Sequence, residues 1–309
     1  MLAVIYKKII GHLTNWSGSA EILPLNLNRD YSDINRLIEM EEWPITRSDF
    51  EVSHIQPKST SFIAKIEGTF AGFFTTHNFG DIGYLDMMII EKEFRKKTVA
   101  RPLYFKTIRE MKKKGLKKFV VHTTNDSARL IRLLGFKKGQ SFTLYQRDPK
   151  LQQNNNEKSY SQEEIKVLGK EHIDSLVKLD RNIFGLGRKV WIESLMRNPD
   201  VEFLGKFIRK SLVASVCLRP RKMNYVCIDM VNAQDILTLE ELLKAVVTHV
   251  PRKGIQCIVR DGSPLEKLLE NNGFVVPDFF KQIGPLYEWT KGNIGNVGQS
   301  ERIQCLTWM

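Results

Sequence analysis

The first half of the chain alternates between apolar runs with strand character and stretches whose apolar residues recur every three or four positions. Runs rich in β-branched and aromatic residues predict strands, and the longer periodicity predicts helices. The predicted strands cover 61–66, 70–76, 84–90, 118–123 and 143–147, and the predicted helices cover 31–40, 101–114 and 127–134. Glu67-Gly68 predicts a hairpin turn between the first two strands, and Gly135 predicts a helix C-cap.

The second half repeats this order of elements. Its predicted strands cover 203–208, 212–218, 224–231, 255–260 and 279–283, and its predicted helices cover 173–183, 191–196, 239–250 and 264–271. Gly135-Phe136 and Gly273-Phe274 fall at equivalent places, so an internal duplication is the simplest explanation. Because hairpins alternate with strand–helix–strand crossovers, we predict an α/β (α+β) fold of two tandem domains. Each would be a mixed, mostly antiparallel twisted sheet with helices on both faces.

A polar stretch with three consecutive Asn residues separates the two halves. Such a stretch contributes little to a core and is typical of a linker. The sequence therefore predicts a first domain at 1–149, a linker at 150–163, a second domain at 164–290 and a tail at 291–309.

Lys and Arg outnumber Asp and Glu by 47 to 35, which gives a net charge of +12. This excess favours polyanionic partners such as a phosphorylated co-substrate, nucleic acid or an anionic membrane surface. The basic residues are spread along the chain and form no motif that reads RNA or DNA, so we do not expect a nucleic-acid partner. No apolar run reaches the roughly 18 residues of a membrane span.

The four cysteines all lie in the second half and show no CxxC spacing. Cys217, Cys227 and Cys257 sit within apolar runs, so we predict reduced, buried thiols rather than a metal site or a disulfide framework. The first 20 residues contain Lys7 and Lys8 but no acid, as a mitochondrial presequence would. We expect a cytoplasmic protein with a surface-lying N-terminal extension, and a mitochondrial presequence is the alternative.

The strand predicted at 84–90 runs through a short basic turn directly into a helix. The N–H groups of a helix's first turn have no internal partners and carry the positive end of its dipole, so they bind anions. Four cations add charge at the same place: Arg95, Lys96, Lys97 and Arg101. This arrangement predicts a phosphate-binding turn, and a merely solvated basic turn is the alternative.

The same turn resembles the phosphate loop of the GNAT (GCN5-related N-acetyltransferase) superfamily, Arg/Gln-x-x-Gly-x-Gly/Ala. The matching positions are Ile90, Phe94, Arg95 and Ala100. Thr98 stands where the family has its first Gly. A downstream box from Asn125 to Gly135-Phe136 fits the family at the right separation. The N-terminal half therefore resembles a GNAT acetyltransferase, and the whole chain resembles a tandem pair.

The resemblance implies acetyl-CoA as co-substrate and no metal. In the family, the loop amides hold the pyrophosphate of coenzyme A, and the preceding strand pairs with the pantetheine arm. The implied cofactor-binding residues are Ile89, Ile90, Arg95, Lys96, Lys97, Thr98, Val99, Ala100, Arg101 and Asn125. We expect binding to be weakened because Thr98 carries a Cβ where the loop needs close backbone approach.

Acetyl transfer to an amine requires that the nitrogen lose a proton. By the resemblance, Asp86 in the strand before the loop is the predicted base, with a purely fold-stabilising hydrogen-bond acceptor as the alternative. His122 in the next strand is a second candidate, with a packed core histidine as the alternative. The family's usual Tyr acid has no counterpart at the expected position. Nothing in the sequence places Tyr104 or Tyr145 there, so the acid is unassigned.

The second half lacks a comparable loop. Residues 232–241 contain no glycine, and Asp235, Glu240 and Glu241 would repel a pyrophosphate. Thr238 with Glu241 predicts a capping box that closes the helix start on itself. We therefore expect no coenzyme A binding in this domain.

The run 180–188 resembles the Asp-x-x-Phe-Gly-x-x-Arg signature of C-terminal domains in tandem GNAT proteins. By that resemblance, Asp180, Arg188 and Arg219 lie on the substrate side, with a structural Asp180–Arg188 ion pair as the alternative. The leading hypothesis is an acyl-CoA-dependent N-acyltransferase that transfers acetyl to an amine of a small molecule or peptide. The alternative is a catalytically degenerate GNAT pair that serves as an acyl-CoA sensor or interaction scaffold.

Overall fold

The computed structural model describes residues 20–95, 99–149 and 164–293. These residues form two compact units. Unit 1 contains residues up to 78 together with 83–117, and unit 2 contains 79–82 and the residues from 118 onward. The linker predicted at 150–163 and most of the tail predicted at 291–309 lie outside the described residues. The domain boundary predicted at 149 therefore stays a prediction.

Unit 1 is built from a sheet with the strand order β1-β2-β3-β4 and from helices packed on it. Its elements are β1 Glu21–Pro24, α1 Leu27–Met40, α2 Arg47–His54, β2 Phe62–Ile66, β3 Thr69–Phe79, β4 Ile82–Ile90 and α3 Ala100–Lys113. The pairs β1–β2 and β2–β3 are antiparallel. The apolar stripe of α1, with Ile34 and Ile38, is buried against Phe73 and Met87 of the sheet. Because α1 packs on the face of β4 that carries Met87, the opposite face of β4 is the one that α1 leaves uncovered.

Unit 2 is a larger mixed sheet with the strand order β5-β12-β6-β11-β10-β9-β8-β7. Its strands are β5 Lys118–Thr123, β6 Lys137–Arg147, β7 Ile165–Val167, β8 Glu202–Ile208, β9 Ser211–Arg221, β10 Tyr225–Ala233, β11 Gly254–Arg260 and β12 Leu286–Lys291. Its helices are α4 Ala128–Leu133, α5 Ile173–Phe184, α6 Lys189–Arg197, α7 Ile236–His249, α8 Pro264–Asn271 and α9 Asp278–Ile283. β10 and β11 are parallel, and the neighbouring pairs β9–β10 and β6–β11 are antiparallel.

The last strands of the two sequence repeats are exchanged. β12, from the end of the second repeat, lies between β5 and β6 of the first, so that Trp289 stands opposite Val121 on one side and Lys138 on the other. In return β6, from the end of the first repeat, pairs with β11 of the second. Each repeat therefore has a penultimate strand completed by the other repeat.

The predicted fold class is confirmed: strands and helices alternate, and the sheets are mostly antiparallel. The hairpin turn predicted at Glu67-Gly68 is present, with φ values of +50° and +79°. The equivalent turn of the second repeat, Arg209-Lys210, has φ values of +47° and +69°. The same left-handed turn thus joins β2 to β3 and β8 to β9. Cys217, Cys227 and Cys257, predicted to be reduced and buried, are buried and form no disulfide within the described residues, and Cys305 lies outside those residues.

The strand predicted at 279–283 is wrong, because these residues form helix α9. Pro277 is the N-cap, Asp278 and Lys281 form an ion pair one turn apart at 2.9 Å, and Gly284 ends the helix at φ +77°. Local helix signals therefore override the aromatic character of the run. The last strand follows as β12. The sequence did not predict three short elements, β1, α2 and β7, because each has too few residues to show a clear periodicity.

Candidate functional site

In unit 1, the apolar strand β4 runs into a turn that leads to α3. Leu85, Met87 and Ile89 are buried, whereas Tyr84, Met88 and Ile90 on the opposite face are partly exposed. A short 3-10 turn at Lys92–Phe94 follows and is anchored by the buried ring of Phe94. Lys96, Lys97 and Thr98, the centre of the predicted phosphate loop, lie outside the described residues.

The start of α3 keeps the character expected of an anion site. Val99 is the N-cap, and no side chain among the described residues caps the helix there. The first turn contains Ala100, Arg101 and Pro102 and no acid. Pro102 has no N–H, so the amides of Ala100 and Arg101 remain as donors at the positive end of the helix dipole. The Arg101 guanidinium lies 5.7 Å from the ring centre of Phe105.

Arg95, the first cation of the turn, is engaged within unit 1. Its Nε donates to the carbonyl oxygen of Ile90 at 2.9 Å, and its Nη2 pairs with Glu41 at the end of α1. A second ion pair, between Arg36 of α1 and Glu91, lies beside it. These contacts tie the end of β4 to α1. Arg95 therefore helps to shape the turn, and a role in anion binding stays a prediction.

Asp86, the predicted base, forms a buried pair with His77 of β3. His77 Nδ1 lies 2.7 Å from Asp86 Oδ1, and the side chains are 4% and 5% exposed. Burial raises the pKa of the Asp86 carboxyl, and His77 opposes this rise by its charge and its hydrogen bond. The ring of Tyr84 stacks on His77 with centroids 4.7 Å apart. The sequence analysis missed His77, although hairpin pairing across the turn at Gly80 would have brought it close to Asp86.

His122 and Asn125, the other residues predicted for the site, lie in unit 2. His122 of β5 stands opposite Glu288 of β12, with Nε2 and Oε2 3.9 Å apart, and meets the ring of Phe142 edge-on. Burial raises the pKa of Glu288, and the charge of Arg260 lowers it. Asn125 is exposed and opens a short 3-10 turn before α4.

Helix α7, the counterpart of α3 in the second repeat, has a closed N-terminus. Asp235 is the N-cap: its Oδ1 accepts from Thr238 N and its Oδ2 from Thr238 Oγ1, both at 2.8 Å. The predicted Thr238–Glu241 capping box is therefore wrong, because the helix begins at Ile236 and Glu241 pairs with Lys206 instead. At the N-terminus of α7, the carboxylate of Asp235 occupies the position equivalent to the one proposed for an anion at the N-terminus of α3.

The residues predicted on the substrate side form two buried ion pairs in unit 2. Arg188 Nε lies 3.1 Å from Asp180 Oδ2, and its guanidinium covers the ring of Phe184 at 3.7 Å. Arg219 Nη1 donates to Asp229 Oδ2 at 2.8 Å. The structure thus contains the Asp180–Arg188 ion pair that was the alternative to a substrate contact.

The two tyrosines considered as acids are both enclosed. Tyr145 donates its hydroxyl to Glu266 and Glu270 of α8 at 3.1 and 3.2 Å. Burial and these two carboxylates raise the pKa of Tyr145 above its usual range, so it holds its proton. Tyr104 of α3 stacks on Phe74. Tyr145 is therefore not assigned as the acid, and Tyr104 is buried in the packing of α3.

The described residues contain no group of three or more His, Cys, Asp or Glu side chains placed to hold a metal ion. None of the helices within these residues is long and apolar enough to cross a membrane.

Comparison with known proteins finds a family match in the first half of the chain. Residues 26–136 match the model of the Acetyltransferase (GNAT) family. Among curated proteins, none matches the sequence. A "Putative Acetyltransferase" from Pyrococcus horikoshii shares the fold with a TM-score of 0.73 and 13% identity, over 95% of this chain and 97% of the other.

Two further solved structures share the fold. A tandem GNAT protein from the clavulanic acid biosynthesis pathway gives a TM-score of 0.65 at 13% identity, over 88% of this chain and 98% of the other. A GCN5-related N-acetyltransferase from Anabaena variabilis gives 0.58 at 12% identity, over 88% and 72%. Residues 26–136 therefore match the model of the acetyltransferase (GNAT) family, and the chain shares its fold with a tandem GNAT protein.

Proposed function

We propose that the chain is an acyl-CoA-dependent N-acyltransferase, which transfers the acetyl group of acetyl-CoA to an amine of a small molecule or peptide. One observation carries the proposal: the GNAT match at 26–136 includes β4, the basic turn and the uncapped start of α3. The proposed donors to the pyrophosphate of coenzyme A are the amides of residues 97–101, with the nearby cations. The backbone of Ile89 and Ile90 is proposed to pair with the pantetheine arm, and Asn125 to lie near it.

The contrast between the two repeats supports one coenzyme A site rather than two. The start of α3 has cations and no acid in its first turn, whereas the start of α7 is capped by Asp235. An anion at α7 would have to displace this carboxylate and would meet its charge. The second repeat is proposed to help shape the acceptor site.

The reaction needs a proton acceptor, because an amine must lose a proton before or during its attack on the thioester. Asp86 and His122 are the proposed candidates from the sequence. With no tyrosine acid assigned, the coenzyme A thiolate is proposed to leave unassisted. The thiolate is a good leaving group, since thiols have a pKa near 8.5.

Calorimetric titration with acetyl-CoA tests the binding step. Arg101→Glu is expected to raise the Kd for acetyl-CoA about tenfold or more, which corresponds to about 1.4 kcal/mol. A glutamate is favourable at a helix N-terminus, so the loss would not reflect an unfolded helix. Lys112→Glu is the matched control: the same change of charge near the other end of α3, expected to leave the Kd unchanged. An unchanged Kd in Arg101→Glu would contradict the proposed site.

A free-thiol release assay with acetyl-CoA and a panel of amines tests the transfer step. Thiol release that depends on an amine supports the acyltransferase. Binding of acetyl-CoA without release for any amine selects the alternative, a degenerate GNAT pair that acts as an acyl-CoA sensor or scaffold. No binding at all would overturn both.

A further inference from the structure

Helix α3 exposes an aromatic ring beside the proposed coenzyme A site. The apolar stripe that the helix buries in unit 1 contains Leu103, Tyr104, Ile108 and Met111. Phe105 lies outside this stripe and is 44% exposed. A single exposed apolar side chain is common on protein surfaces, so the exposure by itself assigns no role. The neighbours of Phe105 on the helix are what point to a ligand.

Phe105 stands between two arginines on the exposed side of α3. Arg101, Phe105 and Arg109 are four residues apart, so they follow one line at steps of about 6 Å along the helix axis. All three are exposed. The guanidinium carbon of Arg101 lies 5.7 Å from the ring centre of Phe105, and the buried ring of Tyr104 meets Phe105 edge-on with centroids 5.3 Å apart. These contacts hold the ring of Phe105 in place while part of it stays open to solvent.

The charge along this side of α3 is positive. The helix contains five cations and one acid, Glu110. The Glu110 carboxylate is shared by Lys113 at 3.0 Å and by Lys106 and Arg109 at 3.6 Å. The side chain of Arg109 stays 64% exposed. Because one carboxylate does not neutralise three cations, an additional anion is favoured here.

The nucleotide end of coenzyme A has matching chemistry. Its pyrophosphate is followed by a ribose that carries an adenine base and a 3′-phosphate. The pyrophosphate is proposed to bind at the start of α3, where Arg101 lies. Bases stack on exposed aromatic rings, and a guanidinium suits a phosphate. Because helical side chains lean towards the helix N-terminus, Arg109 leans back towards a base that is stacked on Phe105.

We propose that Phe105 stacks on the adenine of the acyl donor and that Arg109 pairs with its 3′-phosphate. This inference rests on the proposed acyltransferase function and names the donor more narrowly. The donor is free acyl-coenzyme A. A pantetheine thioester without the nucleotide, such as one attached to a carrier protein, is a poor substitute. Phe105 and Arg109 thus determine the specificity for the donor and take no part in the chemical step.

Calorimetry of the full chain with two donors tests the stacking contact. S-acetyl-phosphopantetheine has neither the base nor the 3′-phosphate, and the wild type is expected to bind acetyl-CoA about tenfold or more tightly than this shorter donor. Phe105→Ala should raise the Kd for acetyl-CoA about tenfold and leave the Kd for S-acetyl-phosphopantetheine unchanged. Phe105→Trp keeps a stacking ring and should keep both wild-type Kd values. Ile55→Ala is the matched control, since Ile55 follows α2 in unit 1 and is 50% exposed. It should change neither Kd.

A third donor, 3′-dephospho-acetyl-CoA, tests the phosphate contact. The wild type is expected to bind acetyl-CoA about fivefold more tightly than this donor, and Arg109→Ala should remove the preference. Lys112→Ala removes a cation near the C-terminal end of α3 and is the matched control, with the preference retained. Because both side chains are exposed, the Phe105 and Arg109 variants should keep the wild-type thermal transition.

The outcomes separate this inference from the proposed function. A wild type that binds acetyl-CoA no more tightly than S-acetyl-phosphopantetheine overturns the inference alone. So does a folded Phe105→Ala with the wild-type Kd for acetyl-CoA, and a preference retained in Arg109→Ala overturns the role of Arg109. A wild type that binds none of the three donors overturns the proposed function, and this inference with it.

Discussion

Lys291, the last residue of β12, donates a hydrogen bond from its Nζ to the carbonyl oxygen of Leu134 at 2.7 Å. Leu134 is the C-cap of α4, where the last carbonyls of a helix lack internal partners. The same Nζ lies 5.7 Å from the ring centre of Phe136. A side chain from the end of the second repeat thus closes a helix of the first repeat, beside the Gly135-Phe136 pair that marks the duplication.

The exchanged strand makes unit 2 depend on β12. A chain that ends at Gly284 lacks this strand, so that β5 and β6 lose the neighbour that both pair with. Unpaired strand edges and an exposed apolar face destabilise a sheet. We expect this truncation to lose its cooperative thermal transition, measured by circular dichroism. A chain that ends at Asn293 keeps β12 and is the control, with an expected wild-type transition. Equal melting of both truncations would contradict this dependence.

Gly72 in β3 allows close approach of the backbone of β4. A Cβ at this position would lie 2.5 Å from the carbonyl oxygen of Ile89, which cannot move without shifting the strand. Gly72→Ala is therefore expected to lower the free energy of unfolding by about 1–3 kcal/mol. At Gly205 a Cβ would meet side-chain carbons of Leu168 and Leu212, which can rotate away. Gly205→Ala should lower the free energy of unfolding by less than Gly72→Ala does. Urea denaturation measures both variants, and a larger loss in Gly205→Ala would argue against the backbone clash at Gly72.

Much of the fold follows from local sequence signals. The strand at 118–123 and the helix at 264–271 have the predicted bounds, because the strand is rich in β-branched and aromatic residues and the helix begins at Pro264. The exchange of β6 and β12 could not be predicted, since both partners of β12 are far away in sequence. The pattern of apolar residues predicts that a strand exists, but it does not predict which other strand that strand pairs with.

In the candidate site, too, features that are local in the sequence could be predicted, whereas contacts between distant residues could not. The start of α3 could be proposed as an anion site because its donors and cations are contiguous in the sequence, and anion binding there stays a prediction. The pairing of Asp86 with His77 was missed, since it depends on the register across a hairpin. The cap of α7 was misplaced by three residues, because Asp235 and Thr238 are both good N-caps.

The Asp180–Arg188 pair offers a test of structural against substrate-side roles. Asp180→Asn leaves the buried guanidinium of Arg188 without its counter-charge and is expected to cost about 3–5 kcal/mol of unfolding free energy. The double change Asp180→Leu with Arg188→Met removes both charges and should restore most of the loss. Urea denaturation measures both variants. A stable Asp180→Asn with a raised KM for the acceptor would instead favour the substrate-side role.

The partly buried carboxyl of Glu288 should make stability depend on pH with an unusual sign. Burial raises its pKa in the folded protein, so its stabilising contribution is present below the ordinary value of 4.5 and is lost as pH rises through the folded-state value. Glu288→Gln cannot ionise and should gain stability relative to the wild type as the pH rises above 4.5. Melting temperatures across this range give the difference, which should grow with pH.

Glu110 on α3 provides a control of opposite sign. Its pKa is lowered, first of all by a hydrogen bond from Lys113, so its contribution is present above 4.5 and is lost as pH falls. Glu110→Gln should therefore lose stability relative to the wild type at neutral pH and match it in acid. If the melting difference for Glu288→Gln were flat with pH, or followed that of Glu110→Gln, then Glu288 would titrate as an ordinary surface carboxyl. Such a result would mean that the side chain of Glu288 is more exposed to solvent than the structure shows.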